Sequence, residues 1–154
     1  DPELQPVDPG RLMVDLMTVL RHHPMASDID FQLELAENLP KIAVDESLVG
    51  QAIINILTNA IEATEDIIPP RQIGLTVQVL RENLVVKISD NGAGVPESIK
   101  KSMFMAFTTT KAKGSGAGLN LARQIALAHG GNLELLETGG KWKTTFAFTF
   151  PINL

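Results

Sequence analysis

An α/β sandwich, one mixed sheet with helices on one face, is the fold class the sequence predicts, and three observations predict it. The stretch Glu46 to Thr64 holds no Pro and only one Gly, and its Ile and Leu residues cover most of a helix circumference. Five runs, rich in β-branched residues or alternating in polarity, read as strands. Helical and strand segments follow one another as α-β-α-β-β-α-α-β-β, without an internal repeat or a composition break. The 154 residues, 44% of them hydrophobic, suffice for a single domain with a sizeable core.

The elements follow in order. Residues 1 to 8 read as a linker or tail, and the abrupt D-P-E-L start reads as a piece cut from a longer chain. Pro9 to His22 places Leu12, Met13, Leu16, Val19 and Leu20 at helical spacing, with Asp8 as the N-cap. Ile29 to Ala36 alternates as a half-buried strand, with Ile29, Phe31, Leu33 and Leu35 inward. Asn38-Leu39-Pro40 turns the chain, and Asp45 caps the helix of Glu46 to Thr64. Pro69-Pro70 breaks the pattern. Ile73 to Leu80 and Leu84 to Ser89 then form a hairpin through Arg81-Glu82-Asn83. Pro96 to Met103 is a short helix, and Met105 to Gly116 is a Thr-, Lys- and Gly-rich loop. Ala117 to His129 is a helix closed by Gly130-Gly131. Asn132 to Leu136 and Lys143 to Phe150 are the last strands.

Composition excludes several kinds of chemistry. A formal charge of −5 and a pI near 5.1 argue against a nucleic-acid binder that relies on general electrostatics. The absence of Cys removes thiol catalysis, cysteine zinc sites and disulfides. His22, His23 and His129 lack metal-ligand spacing, and a histidine pair at a helix end is ordinarily solvated. No apolar run approaches the roughly 18 residues of a membrane span, and no signal peptide opens the chain. The expectation is a soluble, monomeric cytoplasmic domain without nucleic-acid or membrane contact.

Three segments can carry chemistry. On the helix of Glu46 to Thr64, Gln51, Asn55, Asn59 and Glu62 fall on one narrow stripe. Amides amid so much Ile and Leu need polar partners, either an internal hydrogen-bond network or a ligand. Asp90-Asn91-Gly92-Ala93-Gly94 ends a strand as D-x-G-x-G. It is either a plain Asp-Asn-Gly turn or a backbone that approaches a ligand closely beside an acceptor-only carboxylate. Gly114 to Leu119, G-S-G-A-G-L, opens a helix whose N–H groups suit phosphate. Its spacing is neither the dinucleotide fingerprint nor a Walker loop. Lys111 and Lys113 precede it and are either phosphate partners or solvated loop charge. Phe104 and Phe107 read as anchors of that loop in the core. Together these parts make a nucleotide site, with hard amide oxygens suited to a hydrated Mg²⁺.

The ordered motifs resemble the catalytic ATP-binding domain of sensor histidine kinases, in the superfamily that includes DNA gyrase, mismatch-repair ATPases and heat-shock chaperones. The residues that carry the resemblance are N-I-L-T-N-A-I-E-A (Asn55 to Ala63), D-N-G-A-G-V-P (Asp90 to Pro96), F-M-A-F-T-T-T-K (Phe104 to Lys111) and G-S-G-A-G-L (Gly114 to Leu119). H-G-G (His129 to Gly131) and T-T-F-A-F-T-F-P (Thr144 to Pro151) fit as well, and the nitrogen-regulator-like subtype is the most similar. The resemblance implies a Bergerat-type fold, a mixed sheet under about three helices. It implies that Asn55 binds Mg²⁺ and that Asn59 contacts Mg²⁺ or phosphate. Asp90 would accept from the adenine amine, with Gly92 and Gly94 forming the turn at the base. Lys111 and the backbone of Gly116, Ala117, Gly118 and Leu119 would hold the phosphates of ATP, and Thr144 would support Asp90 through water. Two departures stand out: Met105-Ala106 replaces a usual Glu-Pro, and Thr108 replaces a frequent Phe. They bear on the stiffness of the loop and its docking to a neighbour.

The function the resemblance implies is a kinase half that binds MgATP and passes phosphate to a histidine on a separate phosphoacceptor and dimerisation domain, then to a response regulator. The chain's own histidines lack the context of that acceptor. A hydrolytic ATPase of the same superfamily is the alternative. Such enzymes place a Glu where Asn55 stands, and an amide has no useful basicity. A nucleotide-binding module that acts only by protein contact is the third reading.

Overall fold

The structure, a computed structural model, describes residues 1–100 and 116–152. Its principal sheet has five strands: β2 (Ile29–Leu35), β4 (Arg71–Leu80), β5 (Asn83–Asp90), β7 (Thr144–Pro151) and β6 (Asn132–Leu136), in the order β2-β4-β5-β7-β6. The β2–β4 pair is parallel and the other three pairs are antiparallel, so the sheet is mixed as expected. Alternation decides which face is covered. Ile73, Leu75 and Val77 of β4, Leu84, Val86 and Ile88 of β5, and Phe146, Phe148 and Phe150 of β7 are all buried in the core cluster.

Three helices supply the other side of that core. Helix α1 (Pro9–Leu20) is capped by Asp8, which accepts from the N–H groups of Gly10 and Arg11, and it buries Leu12, Met13, Leu16, Met17 and Leu20. Helix α2 (Glu46–Ala63) is the central one, in contact with α1, α4 (Gly116–Ala128) and β5. Its Ile53, Ile56, Leu57 and Ile61 are at most 1% exposed, and each such burial contributes about 1.5–3 kcal/mol relative to exposure. Asp45 caps it through Leu48 N–H. That carboxylate also accepts from Glu3 N–H, and these backbone donors hold its pKa below the ordinary carboxylate value.

Two elements depart from the sequence reading. Within the segment read as a linker or tail, Gln5–Val7 forms strand β1, which pairs antiparallel with Ile42–Val44 (β3) in a small second sheet. The hairpin turn between β4 and β5 is tighter by one residue than expected. Leu80 pairs with Asn83, and Arg81 takes the left-handed conformation at φ 59° that lets two residues reverse the chain. Of the short helix read over Pro96 to Met103, α3 (Glu97–Lys100) lies within the described residues. The loop of Met105 to Gly116, with Phe104, Phe107, Lys111 and Lys113, lies almost wholly outside them.

Candidate functional site

Helix α2 joins both glycine-rich segments. Its polar stripe lies at the margin of the core: Gln51 is exposed, whereas Asn55, Asn59 and Glu62 are half-buried. Asn55 Nδ2 donates to the carbonyl of Gly118 at 3.4 Å, across 63 residues of chain. That carbonyl belongs to the first turn of α4, which Gly116, Ala117, Gly118 and Leu119 form. Leu119 is buried in the core, which leaves its side chain unavailable to a ligand. A Cβ added to Gly118 would meet nothing within 4 Å. Packing among the described residues therefore does not explain this glycine.

At the other end of α2 the D-x-G-x-G turn is clamped. Asp90 is 3% exposed and points to the helix side of β5. Its Oδ1 accepts from Gly92 N–H at 2.9 Å, and its carbonyl accepts from Lys143 N–H at 2.8 Å. Ala93 N–H donates to the Ala63 carbonyl at 3.3 Å, which ties the turn to the last turn of α2. Gly92 is required here, because its Cβ would stand 2.2 Å from that carbonyl oxygen. Gly94 is required for a different reason: its φ of 81° is left-handed. Thr144 pairs with Asp90 across β5 and β7 and is also buried, so the two side chains share the helix-facing side of the sheet.

A cavity of about 1020 Å³ opens beside this turn, walled by Glu62 and Ala63 of α2, Gly94, Val95, Trp142 and Lys143. Glu65 and Asp66 add further negative charge to its wall. Such a wall disfavours a triphosphate, whereas the start of α4 favours one.

Two polar clusters join elements that no sequence motif links. His129 is 5% exposed; its Nδ1 donates to Ile125 carbonyl at 2.8 Å, and its Nε2 accepts from Asp45 N–H at 3.0 Å. Both ring nitrogens are committed to joining α4 to the cap of α2, so this histidine is not placed to accept a phosphoryl group. Arg71, the first residue of β4, is buried against the end of α2, with Thr64 and Asp28 as partners. No local pattern marks Arg71, and only tertiary packing reveals its burial. Among the described residues no cluster of His, Cys, Asp or Glu is arranged to hold a metal. A cation here would take amide oxygens, ligand oxygens and water, the set Mg²⁺ prefers. The residues present therefore fit a magnesium nucleotide. Lys111 lies outside the described residues.

Known proteins share this fold. The chain is 33% identical over 150 residues to the signal transduction histidine-protein kinase AtoS of Escherichia coli, an alignment that covers 97% of this chain and 24% of AtoS. The chain spans between 16% and 28% of the length of the first curated relatives it matches. Among solved structures, the nucleotide-free catalytic domain of histidine kinase ThkA superposes with a TM-score of 0.84 at 28% identity, over 97% of this chain and 96% of that one. ThkA also matches in complex with the response regulator protein TrrA, with a TM-score of 0.82 at 25% identity, over 99% of this chain and 42% of that one. Full-length ShkA in complex with AMPPNP superposes with a TM-score of 0.84 at 25% identity, over 98% of this chain and 31% of that one. Residues 44–154 match the family model for histidine kinase-, DNA gyrase B- and HSP90-like ATPases, and the chain belongs to that family.

Proposed function

We propose that the chain binds MgATP and holds its γ-phosphate for transfer to a histidine on a separate phosphoacceptor and dimerisation domain, from which a response regulator takes it. The observation that carries this reading is the double attachment of α2, to Gly118 through Asn55 and to the Asp90 turn through Ala63. The two attachment points are eight residues apart on α2, about 12 Å along its axis. That is the scale of a nucleotide laid along the helix. Asp90, a buried acceptor, takes the adenine amine at one end, supported by Thr144 and by the turn of Gly92 and Gly94. The N–H groups of Gly116 to Leu119 take the phosphates at the other end, with Lys111 as a further cation. The oxygens of Asn55 and Asn59 would hold Mg²⁺, which would supply charge neutralisation at the phosphates.

The residues of this chain position the reactants and supply no nucleophile. A histidine nitrogen of the acceptor domain attacks the γ-phosphorus, the bond to the bridging oxygen breaks, and ADP leaves. Asn55 cannot deprotonate water, which favours transfer over hydrolysis. Because the reaction draws on cellular ATP, the domain works in the cytoplasm. The relation of ThkA to TrrA supports a response regulator as the downstream partner.

Asn59→Ala tests the metal side of this reading. It is expected to weaken ATP binding in magnesium about ten-fold or more, and far less in chelator, as loss of a cation ligand requires. Calorimetric titrations in the two buffers check it. Equal losses in both would leave Asn59 as an ordinary helix amide. Transfer in trans to a supplied acceptor domain tests the whole.

A further inference from the structure

Arg71 has no part in any motif above, yet it joins the two halves of the site. Its side chain is 9% exposed, and arginine is rarely buried unless paired. Nε donates to Thr64 Oγ1 at 3.2 Å, one terminal nitrogen donates to the Ile61 carbonyl at 3.4 Å, and the other pairs with Asp28. Thr64 Oγ1 in turn donates to the same Ile61 carbonyl at 2.9 Å. The guanidinium thus closes the last turn of α2, where unsatisfied carbonyls and the negative end of the helix dipole favour a cation.

The neighbours of Arg71 grip the Asp90 turn. Asn91 Oδ1 accepts from Gln72 N–H at 2.9 Å, Asn91 N–H donates to the Gln72 carbonyl at 3.2 Å, and Asn91 Nδ2 donates to the Pro70 carbonyl at 2.8 Å. The bond from Ala93 to Ala63 closes the triangle. Three consecutive residues, 70 to 72, therefore hold the base-recognising turn with their backbone and the metal-binding helix with one side chain.

We infer that Arg71 is a positioning residue, a strut that fixes the spacing between the Asp90 carboxylate and the amides of Asn55 and Asn59. The inference rests on the proposed nucleotide site and adds to it a reason why both ends of one ligand fit at once. A ligand that uses only the base end does not need the strut. A ligand that spans both ends does, because a small misplacement of either end forfeits much of the benefit of joining them.

The test compares adenosine with MgATP on the chain as it stands, wild type and Arg71→Met, at temperatures where circular dichroism shows both folded. Methionine preserves much of the length and removes the three hydrogen-bonding arms. The expected result is a loss of MgATP affinity of about ten-fold or more with adenosine affinity changed less than about two-fold. Arg71→Lys, a point charge that keeps the dipole contact but not the fork, should fall between. Equal factors for the two ligands, or no change in either, would overturn the strut. Should Arg71→Met fail to fold, the ratio measured on Arg71→Lys decides by the same criterion. Failure of the wild-type chain to bind MgATP would instead remove the nucleotide site on which the inference stands.

Discussion

Asp90→Asn is expected to lower ATP affinity by about 1.5–3 kcal/mol, the scale of a hydrogen bond to a charged acceptor in a buried site. It is also expected to erase most of the preference for ATP over GTP. Asp90 is almost wholly buried, and its Oδ1 is fixed by Gly92 N–H. An asparagine can keep that bond through its own Oδ1 while turning an NH₂ toward the base. Against the adenine amine this sets donor against donor. Against guanine, which carries a carbonyl where adenine carries the amine, it sets donor against acceptor. ATP should therefore lose and GTP should gain. Calorimetry with both nucleotides on both proteins reads the ratio, and an unchanged ratio would remove Asp90 from base recognition.

Gly92→Ala should be the most damaging of the single-methyl changes at the site. The new Cβ would lie 2.2 Å from the Ala63 carbonyl oxygen, 2.6 Å from its carbon and 2.9 Å from Asp90 Oδ1. Two of these are backbone atoms of a helix whose last turn is held by Thr64 and Arg71, so no flexible side chain can move aside. Relief has to come from the turn itself, which must leave α2 and break the bond from Ala93 to Ala63. Overpacking of this kind costs about 1–3 kcal/mol of stability, and the displaced turn carries Asp90 with it. Thermal melts should show the destabilisation. Titration below the melting range should show ATP affinity reduced at least as far as in Asp90→Asn. Wild-type affinity in a folded Gly92→Ala protein would mean that the turn is not held against α2 in the binding state.

Much of this arrangement was legible in the chain because it is written in local patterns. The Ile and Leu spacing of α2, the alternation in β4, β5 and β7, and the glycine after α4 each act within a few residues. Gly130, at φ 77°, takes the left-handed conformation expected at that helix end. Strands β1 and β3 escaped because each is three residues long and pairs only with the other. Too few residues alternate for periodicity to register, and Pro6 argues against a strand from sequence alone. The contact of Asn55 with Gly118 and the opposition of Thr144 to Asp90 join distant segments. No spacing rule predicts them; the motif resemblance implied that these residues serve one site and that Thr144 supports Asp90 through water. Arg71 and His129 show the same limit from the other side. No local pattern marks either one, and both are buried groups that join separate elements.

The most direct measurement is γ-labelled ATP incubated first with this chain alone and then with the phosphoacceptor domain of its own kinase added. Hydrolysis barely above background is expected in the first case, because the amide of Asn55 cannot act as a general base. In the second, label is expected on the acceptor, released by acid and retained in base as phosphohistidine requires. Brisk hydrolysis by the chain alone, with no label moving to the acceptor, would contradict a role in phosphotransfer and make the chain a hydrolase.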